Sequence, residues 1–193
     1  MKSFHLVRAA AAAVLLLAGA AHAAQAPVSH QPRGTYSDDE VVDQASAFFR
    51  TGAKDLSKVL RKVLKEKGDP DAIIRGEEAG GAIAVGLRYG HGELLFKGAP
   101  VREVYWQGPS LGFDLGGNAV KTFILVYGLP DAAALFQRFP GIDGSLYFVG
   151  GFGVNYLQRG SITLAPVRFG VGWRQGIAIN YINFSPQKRL NPF

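Results

Sequence analysis

Apolar residues recur at helical spacing in two stretches near the start of the chain. The first, residues 37–52, begins with the capping box S-D-D-E from Ser37 to Glu40, and Gly52 is its predicted end. The second, residues 54–67, has Gly68 at its C-terminal cap position. Its apolar residues fall at i, i+3, i+4, i+7 and i+8: Leu56, Val59, Leu60, Val63 and Leu64. Both stretches are therefore predicted to be helices with one apolar side.

From about residue 72 to residue 184 the apolar period changes to two, which is the spacing of β-strands. Gly90-His91-Gly92 is predicted to be a hairpin turn, and the short stretch Pro130 to Phe139 a helix inserted in the sheet. Val120 to Tyr127 and Ile177 to Phe184 are apolar at consecutive positions, as in strands covered on both faces. Eight or nine strands are predicted, near residues 79–90, 92–98, 101–107, 111–116, 119–128, 145–150, 152–158, 161–172 and 173–184.

The alternation near the end of the chain predicts which side chains face the core. Arg168 and Arg174 are predicted to point outward. The residues predicted to point inward are Val167, Phe169, Val171 and Trp173.

Glycine is concentrated in the strand region, where 21 of the 25 glycines lie between Gly76 and Gly176. Many glycines between short β-branched runs are typical of strongly bent antiparallel sheet. The predicted fold class is therefore mainly β (α+β), a bent antiparallel sheet forming a small β-barrel with two N-terminal helices and one short inserted helix. Residues 36–193 are predicted to form a single β-rich domain.

The first residues have the pattern of a secretory signal peptide. Lys2 and Arg8 precede an apolar run, and Ala21-His22-Ala23 offers a cleavage site, so residues 1–23 are predicted to be removed. The apolar run is about half of what a bilayer core needs, so no transmembrane span is expected after cleavage. Residues 24–35, rich in Pro and Gly, are predicted to be a flexible leader. The expected location is the periplasm of a Gram-negative bacterium.

Charge and cysteine content exclude several classes of protein. Removal of Lys2 and Arg8 leaves 19 Lys and Arg against 15 Asp and Glu, a net charge of +4, which argues against a nucleic-acid binder. The chain has no cysteine, so disulfides, thiolate chemistry and a lipid anchor on cysteine are excluded.

Sequence motifs give no support to catalysis or to a cofactor. Gly108-Pro109-Ser110-Leu111-Gly112 matches G-x-S-x-G, but no helix can follow it and no histidine follows His91, so a turn between strands is predicted instead. His30 and His91 are the only histidines of the mature chain, and no cluster has metal-ligand spacing. The carboxylates are scattered, with Glu77-Glu78 predicted at the edge of the first strand. We expect no catalytic residue, no metal and no cofactor.

The central block closely resembles one family of secreted proteins. Tyr105-Trp106, Gly108-Pro109-Ser110, the run from Gly112 to Asn118 and the strand ending at Tyr127-Gly128 are similar to the envelope integrity protein EipA family, over about residues 36–184. The resemblance implies a soluble periplasmic β-rich domain that supports cell-envelope stability and stress resistance, with no known catalytic residues.

A weaker likeness is to the SYLF lipid-binding domain. Pro109, Gly116-Gly117, Val120 to Tyr127 and Asp131 occur in the same order as in that domain. Asn118 stands where a serine is expected, so the likeness implies a shared fold more than a shared ligand.

Three hypotheses of function follow. The first is a module that binds an apolar or amphiphilic envelope component, a lipid for example. Its candidate ligand-binding residues are Phe123, Leu125, Tyr127, Phe152, Tyr156, Phe169 and Trp173, with ordinary core residues as the alternative. The second is a scaffold that docks an unknown protein or an acidic polysaccharide through Arg159, Arg168 and Arg174. The third is a small outer-membrane barrel, which the two leading helices disfavour.

The second predicted helix also suggests a contact with a membrane surface. Six cations and two acids lie between Lys54 and Lys67. Basic amphipathic helices bind anionic headgroups, although a helix docked on the sheet with a solvated basic face has the same pattern. The candidate contact residues are Lys58, Arg61, Lys62 and Lys65.

Overall fold

The computed structural model of the protein describes residues 34–81, 85–111, 119–170 and 181–189. Within these ranges two α-helices precede ten strands, and the strands form one antiparallel sheet. The predicted fold class, a mainly β protein with an antiparallel sheet and two N-terminal helices, is thereby confirmed. None of the described helices combines the length and apolar character needed to cross a membrane. The predicted signal peptide and residues 24–33 of the predicted leader lie outside the described residues.

Both helices form where local sequence pattern predicts them. Helix α1 spans Asp38–Phe49, and the backbone N–H of Ser37 donates to Glu40 Oε2 at 2.8 Å within a capping box. It ends with Arg50 in the left-handed region (φ 55°), two residues before the glycine predicted to stop it. Helix α2 spans Lys54–Lys67 and ends at Gly68, as predicted.

The strands of the sheet follow in chain order. They are β1 (Ala72–Gly81), β2 (Val85–Phe96), β3 (Arg102–Leu111), β4 (Val120–Tyr127), β5 (Arg138–Pro140), β6 (Tyr147–Val149), β7 (Phe152–Val154), β8 (Leu157–Arg159), β9 (Ile162–Phe169) and β10 (Tyr181–Ser185). Their spatial order is β5-β10-β3-β2-β1-β4-β9-β7-β6, with β8 also paired to β9.

The sheet curls into a half-barrel whose edges approach each other. An isolated antiparallel bridge joins Gly141, beside β5, to Leu157 of β8. Arg159 Nη1 donates to the Arg138 carbonyl at 3.1 Å across the same junction. The curled sheet therefore has an interior face and an outer face.

Apolar side chains cover both faces of the central strands. Along β1, Ala72 and Ile74 belong to the interior core, whereas Ile73 belongs to the outer core that α1 and α2 cover. Thr122 to Tyr127 of β4 are all buried, which confirms the prediction of a strand covered on both faces.

The predicted first hairpin is wrong. No turn lies at Gly90-His91-Gly92, because these residues continue β2, which pairs with β1 from Ala72↔Phe96 to Gly81↔Leu87. The glycines serve close packing instead. A Cβ at Gly90 would lie 2.5 Å from Trp106 Cζ2, and one at Gly92 would lie 2.8 Å from the Cα of Gly76.

The predicted inserted helix is also wrong. Pro130 to Phe139 contains a single 3-10 turn, Ala133–Leu135, after which the chain enters β5. The backbone N–H of Ala134 donates to Asp131 Oδ1 at 2.9 Å, so the aspartate caps this turn. Phe139 is fully buried in the interior core opposite Ile182 of β10, and this burial outweighs helix continuation.

Other strand predictions need smaller corrections. Gly108, Pro109 and Ser110 belong to β3 and not to a turn, with Pro109 beyond the segment of β3 that pairs with β10. The predicted strand 152–158 divides into β7 and β8. The pair Gly116-Gly117, Asn118, Val171, Trp173, Arg174 and residues 177–180 lie outside the described residues.

Candidate functional site

Three charged side chains from three strands meet in the interior of the half-barrel. Glu78 of β1, Arg88 of β2 and Arg168 of β9 are at most 1% exposed. Arg168 donates two hydrogen bonds to Glu78, from Nε to Oε2 at 2.7 Å and from Nη2 to Oε1 at 2.9 Å. Arg88 Nη1 lies 3.8 Å from Glu78 Oε2. We call these three residues the charged layer.

Neutral groups complete the surroundings of the charged layer. Trp106 Nε1 donates to Glu78 Oε1 at 2.7 Å, and Arg168 Nη1 donates to Asn155 Oδ1 at 3.2 Å. Burial alone would raise the pKa of Glu78. The positive charges of Arg168 and Arg88, with the hydrogen bonds from Arg168 and Trp106, outweigh burial and lower this pKa to about 2. Glu78 is therefore a fixed carboxylate at neutral pH.

The second arginine of the layer is incompletely paired. Burial lowers the pKa of Arg88 to about 10, a shift that Glu78 opposes and Arg168 reinforces. Among the described residues, none accepts a hydrogen bond from Arg88 Nε or Nη2. With two cations and one anion, the described part of the layer carries a net positive charge.

The buried position of Arg168 overturns one sequence prediction. Arg168 was predicted to point outward, but its guanidinium is inside and Phe169 is 53% exposed. The predicted alternation was one position out of register because β9 is buried on both faces, so its pattern does not reveal the inner one. Of the arginines proposed to dock a partner, only Arg159 is exposed in the described ranges.

Most predicted ligand-binding residues lie in the core between helices and sheet. That core contains Phe123, Leu125, Tyr127, Phe152 and Tyr156. Phe169 stands at its margin with its ring centroid 4.7 Å from that of Phe152. Trp173 lies outside the described residues. Contact of these side chains with a ligand stays a prediction.

An aromatic row leads from this margin toward the first helix. Phe152 packs against Phe49 with ring centroids 5.4 Å apart, and Phe49 lies 6.4 Å from Phe123. Phe169 follows Arg168 directly in β9, so the exposed end of the row is at the same end of the sheet as the charged layer but on the opposite face. We call Phe49, Phe123, Phe152 and Phe169 the aromatic row.

Helix α2 places its basic residues in solvent and its apolar residues in the core. Leu56, Val59, Leu60, Val63 and Leu64 are all buried. Of the predicted membrane-contact residues, Lys58 pairs with Asp55 at 3.4 Å and Lys62 with Glu66 at 2.7 Å. Arg61 lies 3.3 Å from Asp39 of α1, and Lys65 is exposed. This geometry is that of a docked helix with a partly neutralised basic face.

Apart from the charged layer, a concave surface lies on the outer face of β1, β2 and β3. It is a groove of about 340 Å³ whose charged residues are Arg75, Glu77, Glu93 and Glu103, together with His91. Arg75 Nη2 donates to Glu93 Oε2 at 2.9 Å. Within the described ranges no group of three or more His, Cys, Asp or Glu residues is placed to hold a metal ion.

The charged layer was the main feature that the sequence interpretation missed. The sequence pattern predicts Glu78 only as a residue at a strand edge and does not single out Arg88. One signal was present: in the observed register of β1, Glu78 continues the inward series Ala72, Ile74 and Gly76, so a charge stands at a core position. The partners cannot be found from one sequence, since Arg168 is 90 residues away.

Comparison with known proteins gives one family and one fold. The sequence pattern of a family described as Envelope integrity protein A matches residues 34–193. The chain is also similar to a beta-barrel-like, uncharacterized protein from Brucella abortus, whose crystal structure superposes with a TM-score of 0.76. The two are 40% identical, over 82% of this chain and 99% of that one. No curated protein matches the chain. The likeness to the SYLF domain stays a prediction.

Proposed function

The chain belongs to the envelope integrity protein A family, and from this premise we propose that it is a non-enzymatic periplasmic protein that supports the cell envelope by holding an amphiphilic envelope component. The observation that carries the proposal is the charged layer. A small β-domain buries two arginines against one glutamate on the interior face of the sheet. The aromatic row lies on the opposite face, where Phe169 is exposed and offers an apolar surface to a ligand.

The chemistry of the layer supports binding over catalysis. General acid–base catalysis works best with a group whose pKa lies near the working pH. The pKa of Glu78 is about 2 and that of Arg88 about 10, so neither group exchanges protons readily near neutral pH. These residues therefore suit electrostatic recognition of a ligand.

A periplasmic location is supported by the start of the chain. Its positive residues, its apolar run and the Ala21-His22-Ala23 site fit a secretory signal peptide. The absence of cysteine agrees with a protein that needs no disulfide for stability, since about 170 mature residues can bury a core of their own.

The alternative of a docking scaffold is less well supported. It depended on Arg159, Arg168 and Arg174 forming one outward basic series. Arg168 is fully buried against Glu78, which removes the middle member of that series. The hypothesis of a binding module, unlike that of a scaffold, is compatible with Arg168 buried beside Glu78.

The proposal is tested with protein purified from its own periplasm without detergent. We expect native mass spectrometry to show an adduct that organic solvent extracts as an amphiphile. Phe169→Ser should lower the adduct's occupancy, because Phe169 is the exposed end of the aromatic row. Val101→Ser is the matched control, since Val101 is also 53% exposed but precedes β3 at the other end of the sheet. A clean apo mass, with no rise in melting temperature on adding envelope lipids, would count against the proposal.

A further inference from the structure

The groove on the outer face of β1, β2 and β3 has the size of a small-molecule site. Its volume is about 340 Å³, within the range of about 300–1,000 Å³ that is usual for pockets that bind small molecules. A single water occupies only about 30 Å³ of space, so a bare ion would leave most of the groove empty. The groove therefore has room for an organic ligand.

The charge of the groove is opposite to that of the rest of the protein. Six of its side chains form two rows across the three strands, Arg75, Glu93 and Glu103 in one row and Glu77, His91 and Tyr105 in the other. Three carboxylates and one guanidinium, with the histidine neutral, give a net charge of −2. The mature chain as a whole has a net charge of +4. The groove therefore favours a cation.

Two of the three carboxylates have no ion pair with a described cation. Arg75 pairs with Glu93 at 2.9 Å, but Glu77 and Glu103 have no such partner in the described ranges. The cross-strand neighbour of Glu77 on β4 is Lys121. Its Nζ donates instead to a backbone carbonyl at the end of α1, at 2.8 Å. Glu77 and Glu103 are thus open to the positive charge of a ligand.

The two open carboxylates stand at opposite corners of the groove. Glu77 is on β1 in one row and Glu103 on β3 in the other, with β2 between them. Neighbouring strands are about 4.8 Å apart and alternate residues of a strand about 6.8 Å apart, which places the two Cα atoms about 12 Å from each other. A straight organic chain with an ammonium group at each end can therefore meet both side chains.

An aromatic ring stands on the side of each open carboxylate. Tyr105 donates a hydrogen bond from its hydroxyl to Glu103 at 3.3 Å. Phe48 lines the groove on the side of β1 and β4, where Lys121 Nζ lies 5.3 Å from its ring centroid. Rings of this kind attract ammonium groups that lie within about 6 Å. The walls of the groove therefore suit the same cationic groups as its carboxylates do.

Charge, spacing and walls together define the class of ligand. We propose that the groove binds a linear organic diamine, with one ammonium group at Glu77, the other at Glu103 and the methylene chain across β2. This site goes beyond the proposed function and does not depend on it. It lies on the face opposite to the charged layer and meets the aromatic row at Phe48, whose ring centroid is 5.2 Å from that of Phe49.

The test compares amines of matched length by titration calorimetry at low salt. The probes are 1,4-diaminobutane, n-butylamine, 1,4-butanediol and pentalysine. We expect the diamine to bind about tenfold tighter than butylamine, because its second ammonium group adds an ion pair and a contact with a ring. The diol should not bind, and added salt should weaken the binding of the diamine. Glu77→Gln and Glu103→Gln should each reduce the affinity for the diamine to that for butylamine.

Asp143→Asn is the matched control, because it removes one exposed negative charge in the turn before β6, outside the groove, and should leave every affinity unchanged. Glu77 and Glu103 are exposed, so we expect both Gln variants to fold, and urea unfolding checks this. Equal affinity for diamine and butylamine would overturn the two-point site, and so would unchanged diamine affinity in both Gln variants. Binding of pentalysine without binding of the diamine would overturn the small ligand and indicate a basic protein partner. Each of these outcomes leaves the amphiphile of the proposed function to its own test by native mass spectrometry.

Discussion

The indole of Trp106 packs directly on the backbones of β1 and β2 at Gly76 and Gly90, where neither strand carries a side chain. A Cβ at Gly76 would lie 2.6 Å from Trp106 Cη2, and one at Gly90 would lie 2.5 Å from Cζ2. Both distances are far shorter than any carbon–carbon contact at van der Waals separation. The indole is 1% exposed and also donates to Glu78, so it cannot move aside without losing that bond. Glycine at these two positions is therefore a packing requirement.

Gly90→Ala should lower the free energy of unfolding by about 1–3 kcal/mol, because the new methyl group overpacks the site of Trp106. Urea unfolding followed by tryptophan fluorescence measures the change. Gly52→Ala is the control, since nothing lies within 4 Å of a Cβ at Gly52, and its effect should stay within about 0.5 kcal/mol. Equal midpoints for the two variants would show that the indole does not constrain Gly90.

Residues 90–92 show why the interpretation of single residues from local sequence fails when the deciding partner is distant. Gly-X-Gly is compatible with a turn, and local sequence alone favours that choice at residues 90–92. The deciding partner, Trp106, is in another strand, so the correct alternative depends on a distant residue. The same holds for Glu78 and Arg168. By contrast, the Ser37–Glu40 capping box is complete within four residues and was predicted correctly.

Helix α2 is anchored to the sheet by its whole apolar stripe. Leu60 is fully buried within the outer core, whereas Lys65 lies on the solvent side of the same helix. Leu60→Ala should therefore cost about 2–5 kcal/mol of unfolding free energy, from lost burial and the cavity left behind. Lys65→Ala, measured in the same urea titration, should change it by less than about 0.5 kcal/mol. A small effect of Leu60→Ala would mean that α2 detaches readily from the sheet.

That anchoring limits how α2 can meet a membrane. Because its apolar side is buried in the protein, α2 can attract an anionic membrane only through its charges. Salt screens this electrostatic attraction within about 8 Å at physiological ionic strength. We expect sedimentation with anionic vesicles at low salt to fall as salt is raised. Replacing Lys58, Lys62 and Lys65 by Glu should abolish it. Sedimentation that resists both changes would show apolar insertion, and no sedimentation at low salt would reject the contact.

Whole elements were predicted with unequal success for a physical reason. Helix hydrogen bonds join residues four apart, so both helices could be predicted from adjacent sequence, and α2 has the predicted bounds. Strand limits are set by pairing with distant partners. The segment 130–139 has helical composition, yet the pairing of Phe139 with β10 turns its end into β5. The bent sheet itself was predictable because a high glycine content indicates curvature. The same content does not specify the strand register.

The molecule as a whole has two apolar cores separated by a single sheet, and the charged layer joins strands on either side of β1. Glu78 lies on β1, which pairs with β2 and β4, and it contacts side chains of β2, β3 and β9. Losing the charge of Glu78 would leave two buried arginines facing each other. Unpairing a buried ion pair in this way typically costs about 3–5 kcal/mol. The stability of the entire half-barrel is thereby linked to one carboxyl group.

This linkage predicts how the global stability depends on pH. The folded-state pKa of Glu78 is about 2, below its ordinary value of 4.5, so the unfolded protein binds the proton more readily. The stabilisation from Glu78 is complete above pH 4.5 and is lost as the pH falls toward 2. Its size is about 3 kcal/mol, from 1.36 kcal/mol for each pKa unit.

Urea unfolding between pH 6 and pH 2 should show this loss in the wild type and in Glu93→Gln, which alters only a half-exposed ion pair on the outer face. It should be absent from the pH dependence of Glu78→Gln, which starts from lower stability. If that variant does not fold, carbon NMR of the wild-type Glu78 carboxyl gives the same answer, and a titration midpoint near 4.5 would contradict the link between Glu78 and the acid limit of the fold.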